Sequence, residues 1–116
     1  NYTGGVTFTL YDVPPDATAS LTPGGASASL TIGTPGQNGR LTFTAGASTA
    51  YSLVVSAVTI GQSDVSVLKP DGTTLVANTY VTTTGKTIAF TSTVSGTYTI
   101  VLNPRTTYTG SATFRL

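Results

Sequence analysis

The sequence predicts an all-β protein, an antiparallel β-sandwich of about eight strands, jelly-roll-like in its winding. Three observations carry this. Apolar residues recur with a period of two from one end of the chain to the other, and helical spacing is absent. Ser and Thr make up about a third of the residues, and Thr favours strands because its β-branched side chain packs well on a pleated surface. Gly, Pro or Asn separates the short apolar runs, which is the punctuation of a sandwich or jelly roll. A chain of 116 residues can bury one core, and a mean hydropathy of +0.20 with few charges argues against intrinsic disorder.

Taken in order, Val6, Phe8 and Leu10 alternate with Thr7 and Thr9 and predict a first strand. Tyr11-Asp12-Val13-Pro14-Pro15-Asp16 follows, stiff and extended as a linker should be, and then the turn-rich Leu21-Thr22-Pro23-Gly24-Gly25. Ala28, Leu30 and Ile32 predict the next strand, and Leu41 with Phe43 another. Tyr51, Leu53 and Val55 continue the alternation, and Val54 makes that strand apolar on both sides and hence central. Val65 and Val67 lead into Lys69-Pro70-Asp71-Gly72-Thr73, where Pro presets φ, the Asp carboxylate can bond backbone amides and Gly allows positive φ. This turn predicts a hairpin with the short run at residues 75–77. Ile88 with Phe90, then Tyr98 to Leu102, then Ala112 to Leu116 complete the series, separated by Thr84-Gly85-Lys86, Ser95-Gly96 and Asn103-Pro104.

The chain also resembles itself. Tyr2-Thr3-Gly4-Gly5-Val6-Thr7-Phe8-Thr9-Leu10 returns as Tyr108-Thr109-Gly110-Ser111-Ala112-Thr113-Phe114-Arg115-Leu116. The period, roughly 106 residues, suits a sandwich array and not a solenoid. Residues 1–16 are therefore expected to be the closing strand of a preceding repeat plus a Pro-rich linker, and residues 17–116 a single β-sandwich module. The alternative is that both segments pair as pseudo-symmetric strands of one sandwich. Either way Phe8 and Leu10 require a partner, on this domain or on a neighbouring copy.

Composition excludes several functions. The chain has no His, Cys, Glu, Trp or Met, and so lacks the usual general base, the usual nucleophile and nearly all soft metal ligands. An enzyme is not expected. Charged residues are 8% of the chain and the net charge is +1, too little to neutralise a series of phosphates, so nucleic acid is not an expected partner. No apolar run approaches the roughly 20 residues that span a bilayer, and membrane insertion is not expected. A Cys-free, Thr-, Ser- and Gly-rich all-β chain suggests a bacterial secreted or surface protein, with any export signal outside this segment.

Beyond the period-two pattern, Ser63-Asp64-Val65-Ser66-Val67-Leu68-Lys69-Pro70-Asp71-Gly72-Thr73-Thr74-Leu75 resembles a signature of bacterial pre-peptidase C-terminal domains. Members open a strand with an acidic residue and continue through Pro-Asp-Gly into a short strand. Ser95-Gly96-Thr97-Tyr98-Thr99-Ile100-Val101-Leu102 is similar to the family's Gly-x-Tyr strand, and residues 108–116 to its closing strand. The resemblance covers residues 37–116. It implies a jelly-roll-like sandwich of a secreted protein, accessory to an enzyme or part of a surface array. Relatives are associated with polymers such as polysaccharide or collagen, and some bind calcium through clustered carboxylates. This chain departs there: it has four acidic residues, all Asp, and only Asp64 matches a strand-opening acidic position. Ca²⁺ takes six to eight oxygens, usually several carboxylates, so no cofactor is expected, calcium is disfavoured, and Asp64 is the one weak metal candidate.

Tyr side chains are the natural sugar contacts, since a flat ring stacks on a pyranose face and the hydroxyl adds a hydrogen bond. Tyr80 is the best placed, in a stretch at residues 77–85 that reads as a loop, with Asn78 and Thr82 beside it as the other ligand-binding candidates. The plainer reading has Tyr80 covering one end of the core. Tyr51 and Tyr98 are in phase with apolar neighbours and read as core. Carboxylate pairs such as Asp64 and Asp71 do not suggest glycoside hydrolysis, which needs a cleft and a raised pKa. The sequence thus points to a non-catalytic extracellular accessory module that binds a polymeric carbohydrate, or another extracellular polymer, weakly and gains avidity from tandem repeats, with neighbouring repeats as its other partners. The alternative is a spacer or stalk repeat of a surface or secreted protein with no ligand.

Overall fold

Inward Leu, Ile, Val and Phe alternating with outward Thr and Ser produce nine strands in the computed structural model, which describes residues 2–116. They are β1 (Ala17–Ser20), β2 (Ala28–Ile32), β3 (Gly39–Ala45), β4 (Ala50–Ser56), β5 (Gln62–Leu68), β6 (Thr74–Thr82), β7 (Lys86–Thr91), β8 (Gly96–Pro104) and β9 (Gly110–Arg115). One sheet has the order β1-β3-β8-β5-β6 and the other β2-β9-β4-β7. The pairs β5·β6, β4·β7, β3·β8 and β2·β9 are all antiparallel and nest one inside the next, like a long hairpin folded over itself. Pairing of β5 with β8 and of β4 with β9 then closes the two sheets. Strands β2 to β9 therefore form a jelly roll.

Within the strands, burial follows the alternation of side chains. Strand β3 alternates buried and exposed along its whole length, with Leu41 and Phe43 inward and Arg40, Thr42 and Thr44 outward. Leu53, Ile60, Val65, Ile100 and Phe114 are fully buried between the sheets, each contributing on the order of 1.5–3 kcal/mol by leaving water. At one end of the core Phe43 stacks on Tyr98 at 5.6 Å and meets Tyr51 edge-on at 5.7 Å. The buried Tyr98 hydroxyl accepts from the backbone N–H of Thr93 and Val94 and donates to the Val94 carbonyl at 2.7 Å. Buried Ser92 similarly accepts from Thr49 N–H and donates to the Gly46 carbonyl. Among the described residues no buried side-chain polar atom lacks a partner.

The Pro-Asp-Gly turn joins β5 to β6 as the sequence predicts. Gly72 has φ +86°, Lys69 N–H donates to Thr73 O at 2.8 Å, and the Asp71 carboxylate accepts from Thr73 N–H at 2.9 Å and from its hydroxyl at 2.7 Å. Strand β4 is interior to its sheet, as Val54 suggests, yet Val54 remains 39% exposed because nothing covers the outer face there.

Two expectations about strands are corrected, at residues 6–10 and at residues 77–85. The run at residues 6–10 forms no strand: it has the alternation but no sheet to pair with, and Val6, Phe8 and Leu10 are exposed. It does not pair with residues 110–115, which form β9 between β2 and β4. The extra strand is β1, whose Ala-Thr-Ala-Ser sequence carries almost no apolar signal and which pairs parallel with β3. It is held by backbone bonds from Ala17 N–H to Asn38 O and from Leu21 N–H to Thr42 O. The stretch read as a loop at residues 77–85 is instead strand as far as Thr82. The end of the Pro-rich stretch contacts the sandwich: Gln37 Nε2 donates to Pro15 O at 3.0 Å, and Asp16 pairs with Arg40 at 2.8 Å.

Candidate functional site

The residues singled out in the sequence come together on the outer face of the five-stranded sheet. Tyr80 stands on β6 directly opposite Asp64 on β5, which in turn faces Asn103 on β8. Thr82 is opposite Gln62 on the same face, and its hydroxyl oxygen lies 2.9 Å from that of Thr84. Asn78 is exposed two residues before Tyr80, at a bulge: Val65 pairs with Thr79 and Val67 with Val76, so Ala77 and Asn78 both stand against Ser66. Such a bulge bends the edge strand and re-aims its side chains.

A residue that the sequence reading passed over organises this face. Arg105, just past the end of β8, donates from Nε to Asp64 Oδ2 at 3.0 Å and from Nη2 to Oδ1 at 2.8 Å. Its guanidinium carbon lies 4.5 Å from the centre of the Tyr80 ring. One cation thus spans β5 to reach β6, with a bidentate ion pair beneath it and an aromatic face beside it. The hydrogen bonds that Arg105 donates to Asp64 hold its pKa above the ordinary value. Its backbone N–H donates to Gln62 O at 3.0 Å, and its carbonyl accepts from Tyr108 N–H, which closes the turn toward β9. Only the cross-strand register links residues 64, 80 and 105, and no local motif carries that information.

Chemically, this is a neutral patch of one fixed ion pair, one phenol, amides and hydroxyls. Tyr80 keeps 43% of its surface exposed. Asp64 is tied to Arg105, Asp16 to Arg40 and Asp71 to Thr73, so these carboxylates hold structure. Among the described residues no three acidic side chains converge as a metal cage, and the bidentate bond to Arg105 occupies both oxygens of Asp64. A shallow groove of about 470 Å³, between Tyr51 on β4 and Phe90 on β7, lies on the other sheet and is lined by no charged group.

No family profile matches the sequence, and no curated protein matches it. Solved structures do match in shape. The pre-peptidase C-terminal domain of a collagenase from Bacillus anthracis superposes with a TM-score of 0.66 at 13% identity, over 88% of this chain and 96% of that one. PliG from Aeromonas hydrophila, a periplasmic inhibitor of g-type lysozyme, superposes with a TM-score of 0.56 at 16% identity, over 86% of this chain and 97% of that one. The fold expected from the Pro-Asp-Gly and Gly-x-Tyr segments is the fold the chain has, and at these identities the likeness is one of fold.

Proposed function

We propose, from a sandwich shaped like a pre-peptidase C-terminal domain and a neutral hydroxyl-rich face around Tyr80, that the chain is a non-catalytic extracellular module that binds polymeric carbohydrate weakly. The observation that carries this is the Tyr80–Arg105–Asp64 arrangement. Arg105 backs the ring and holds it, so little conformational freedom is lost when the exposed part of the ring meets a sugar. Asn78 and Thr82 flank the ring with the amide and hydroxyl groups that pair with sugar hydroxyls. A site of one aromatic ring is weak by itself, and linked copies raise its avidity. The periplasmic neighbour in shape supports a location outside the cytoplasm.

The test is a polysaccharide binding screen. Tyr80→Ala is expected to weaken binding about tenfold, the equivalent of ~1.4 kcal/mol, and Arg105→Ala to weaken it less by freeing the ring. Binding unchanged in Tyr80→Ala removes this site. A spacer is the second reading, favoured by the docking of residues 13–16 through Gln37 and Arg40, which fixes the direction in which the chain enters the sandwich. No binding by the chain or by a two-copy form establishes that reading instead.

A further inference from the structure

We infer that residues 4–10 are a second β9, which completes the four-stranded sheet of another copy of this domain by lying between that copy's β2 and β4. The inference does not depend on carbohydrate binding. Gly4-Gly5-Val6-Thr7-Phe8-Thr9-Leu10 differs from residues 110–116 at only three positions, where Ser111, Ala112 and Arg115 replace Gly5, Val6 and Thr9. Parity is preserved: Ala112 and Phe114 face the core, and Val6 and Phe8 occupy the same steps of the pattern.

The backbone supplies an independent observation. Gly110 has φ +137°, and a Cβ there would stand 2.7 Å from Thr59 Oγ1 and 3.0 Å from Ile60 N, so the entrance to the β9 slot admits only glycine. Gly4 has φ +151°, yet among the described residues, its two chain neighbours aside, no atom lies within 4 Å of where its Cβ would be. The segment therefore carries the glycine, in the glycine-only conformation, that the slot demands, with no local reason for it. Its own chain has no vacancy, because β9 already pairs with β2 and β4. Residues 13–16, bound along the sandwich, direct the segment away from its own core. The place it fits is a copy that lacks its own residues 110–116.

The experiment joins residues 17–107 of one copy ahead of Tyr2 of the full chain, so that residues 4–10 are the one β9 available to the first copy. Amide exchange at residues 5–10 is expected to be fast in the single chain and slowed in the two-copy chain to the level of residues 111–115. Phe8→Asp is expected to unfold one of the two copies and to leave the single chain unaltered. Fast exchange at residues 5–10 in the two-copy chain, whether the first copy is unfolded or folded without them, overturns the inference, as does a Phe8→Asp two-copy chain with both copies folded. In the full single chain, the triple variant Ser111→Gly, Ala112→Val, Arg115→Thr writes the first segment into the β9 slot. It is expected to melt cooperatively, and its failure to fold also overturns the inference.

Discussion

Two side chains show how much one hydrogen-bonding group decides. Tyr98 is core by its ring and polar by its hydroxyl, which serves the N–H groups of Thr93 and Val94 and the carbonyl of Val94. Tyr98→Phe keeps the packing on Phe43 and strands those backbone groups, a cost of about 1–3 kcal/mol expected in urea unfolding. Asp71 works in the open. The hydroxyl and backbone hydrogen bonds from Thr73 lower its pKa below the ordinary aspartate value of 3.8. A carboxylate whose folded pKa is depressed stabilises the fold above its unfolded pKa, and that contribution disappears as pH falls through the folded one. The melting temperature of Asp71→Asn is therefore expected to approach that of the parent on acidification below about pH 3.8 and to lie below it at neutral pH. Both roles were partly legible in the sequence, Asp71 from its turn and Tyr98 from its phase with Ile100 and Leu102. Arg105 was not, because its partners are set by register between strands distant in sequence.

At the scale of the element, identical patterns have opposite fates. Phe8 is 88% exposed and Phe114 fully buried, although each sits in the same Thr-Phe step of the same motif. Phe114→Ala is expected to cost about 3–5 kcal/mol, and Phe8→Ala nothing measurable in the single chain. Alternation reports that a segment is fit to be a strand, and pairing is decided by whether a sheet has room for it. The same reasoning explains β1, legible in no apolar pattern and yet formed because the edge of β3 offered hydrogen bonds to residues 17–21. It also explains why β6 ran on past residue 77, where Asn and Tyr look like a loop: the bulge against Ser66 absorbs the extra residue and lets the pairing resume at Thr79.

Across the whole molecule, the nested strand order makes most contacts long-range, so folding in milliseconds to seconds is expected and stopped-flow refolding checks it. The radius of gyration is 16.1 Å, against about 13 Å for a compact domain of this length. The exposed segment before residue 13 adds to that radius. Its removal is expected to shrink the molecule in X-ray scattering and leave the melting temperature unchanged, whereas deletion of residues 1–16 also removes Pro15 from buried Gln37 and lowers it. The parallel pairing of β1 with β3 has a mechanical side. Gly24 N–H holds Leu116 O at 2.9 Å, so the carboxyl end of the sandwich lies just beyond the far end of β1. Tension applied between residues 17 and 116 therefore runs along β1 and shears its bonds to β3 together, where a perpendicular pull would break them one after another. A strand of four residues with hardly any apolar surface thereby becomes the clasp that bears load whenever the chain is stretched.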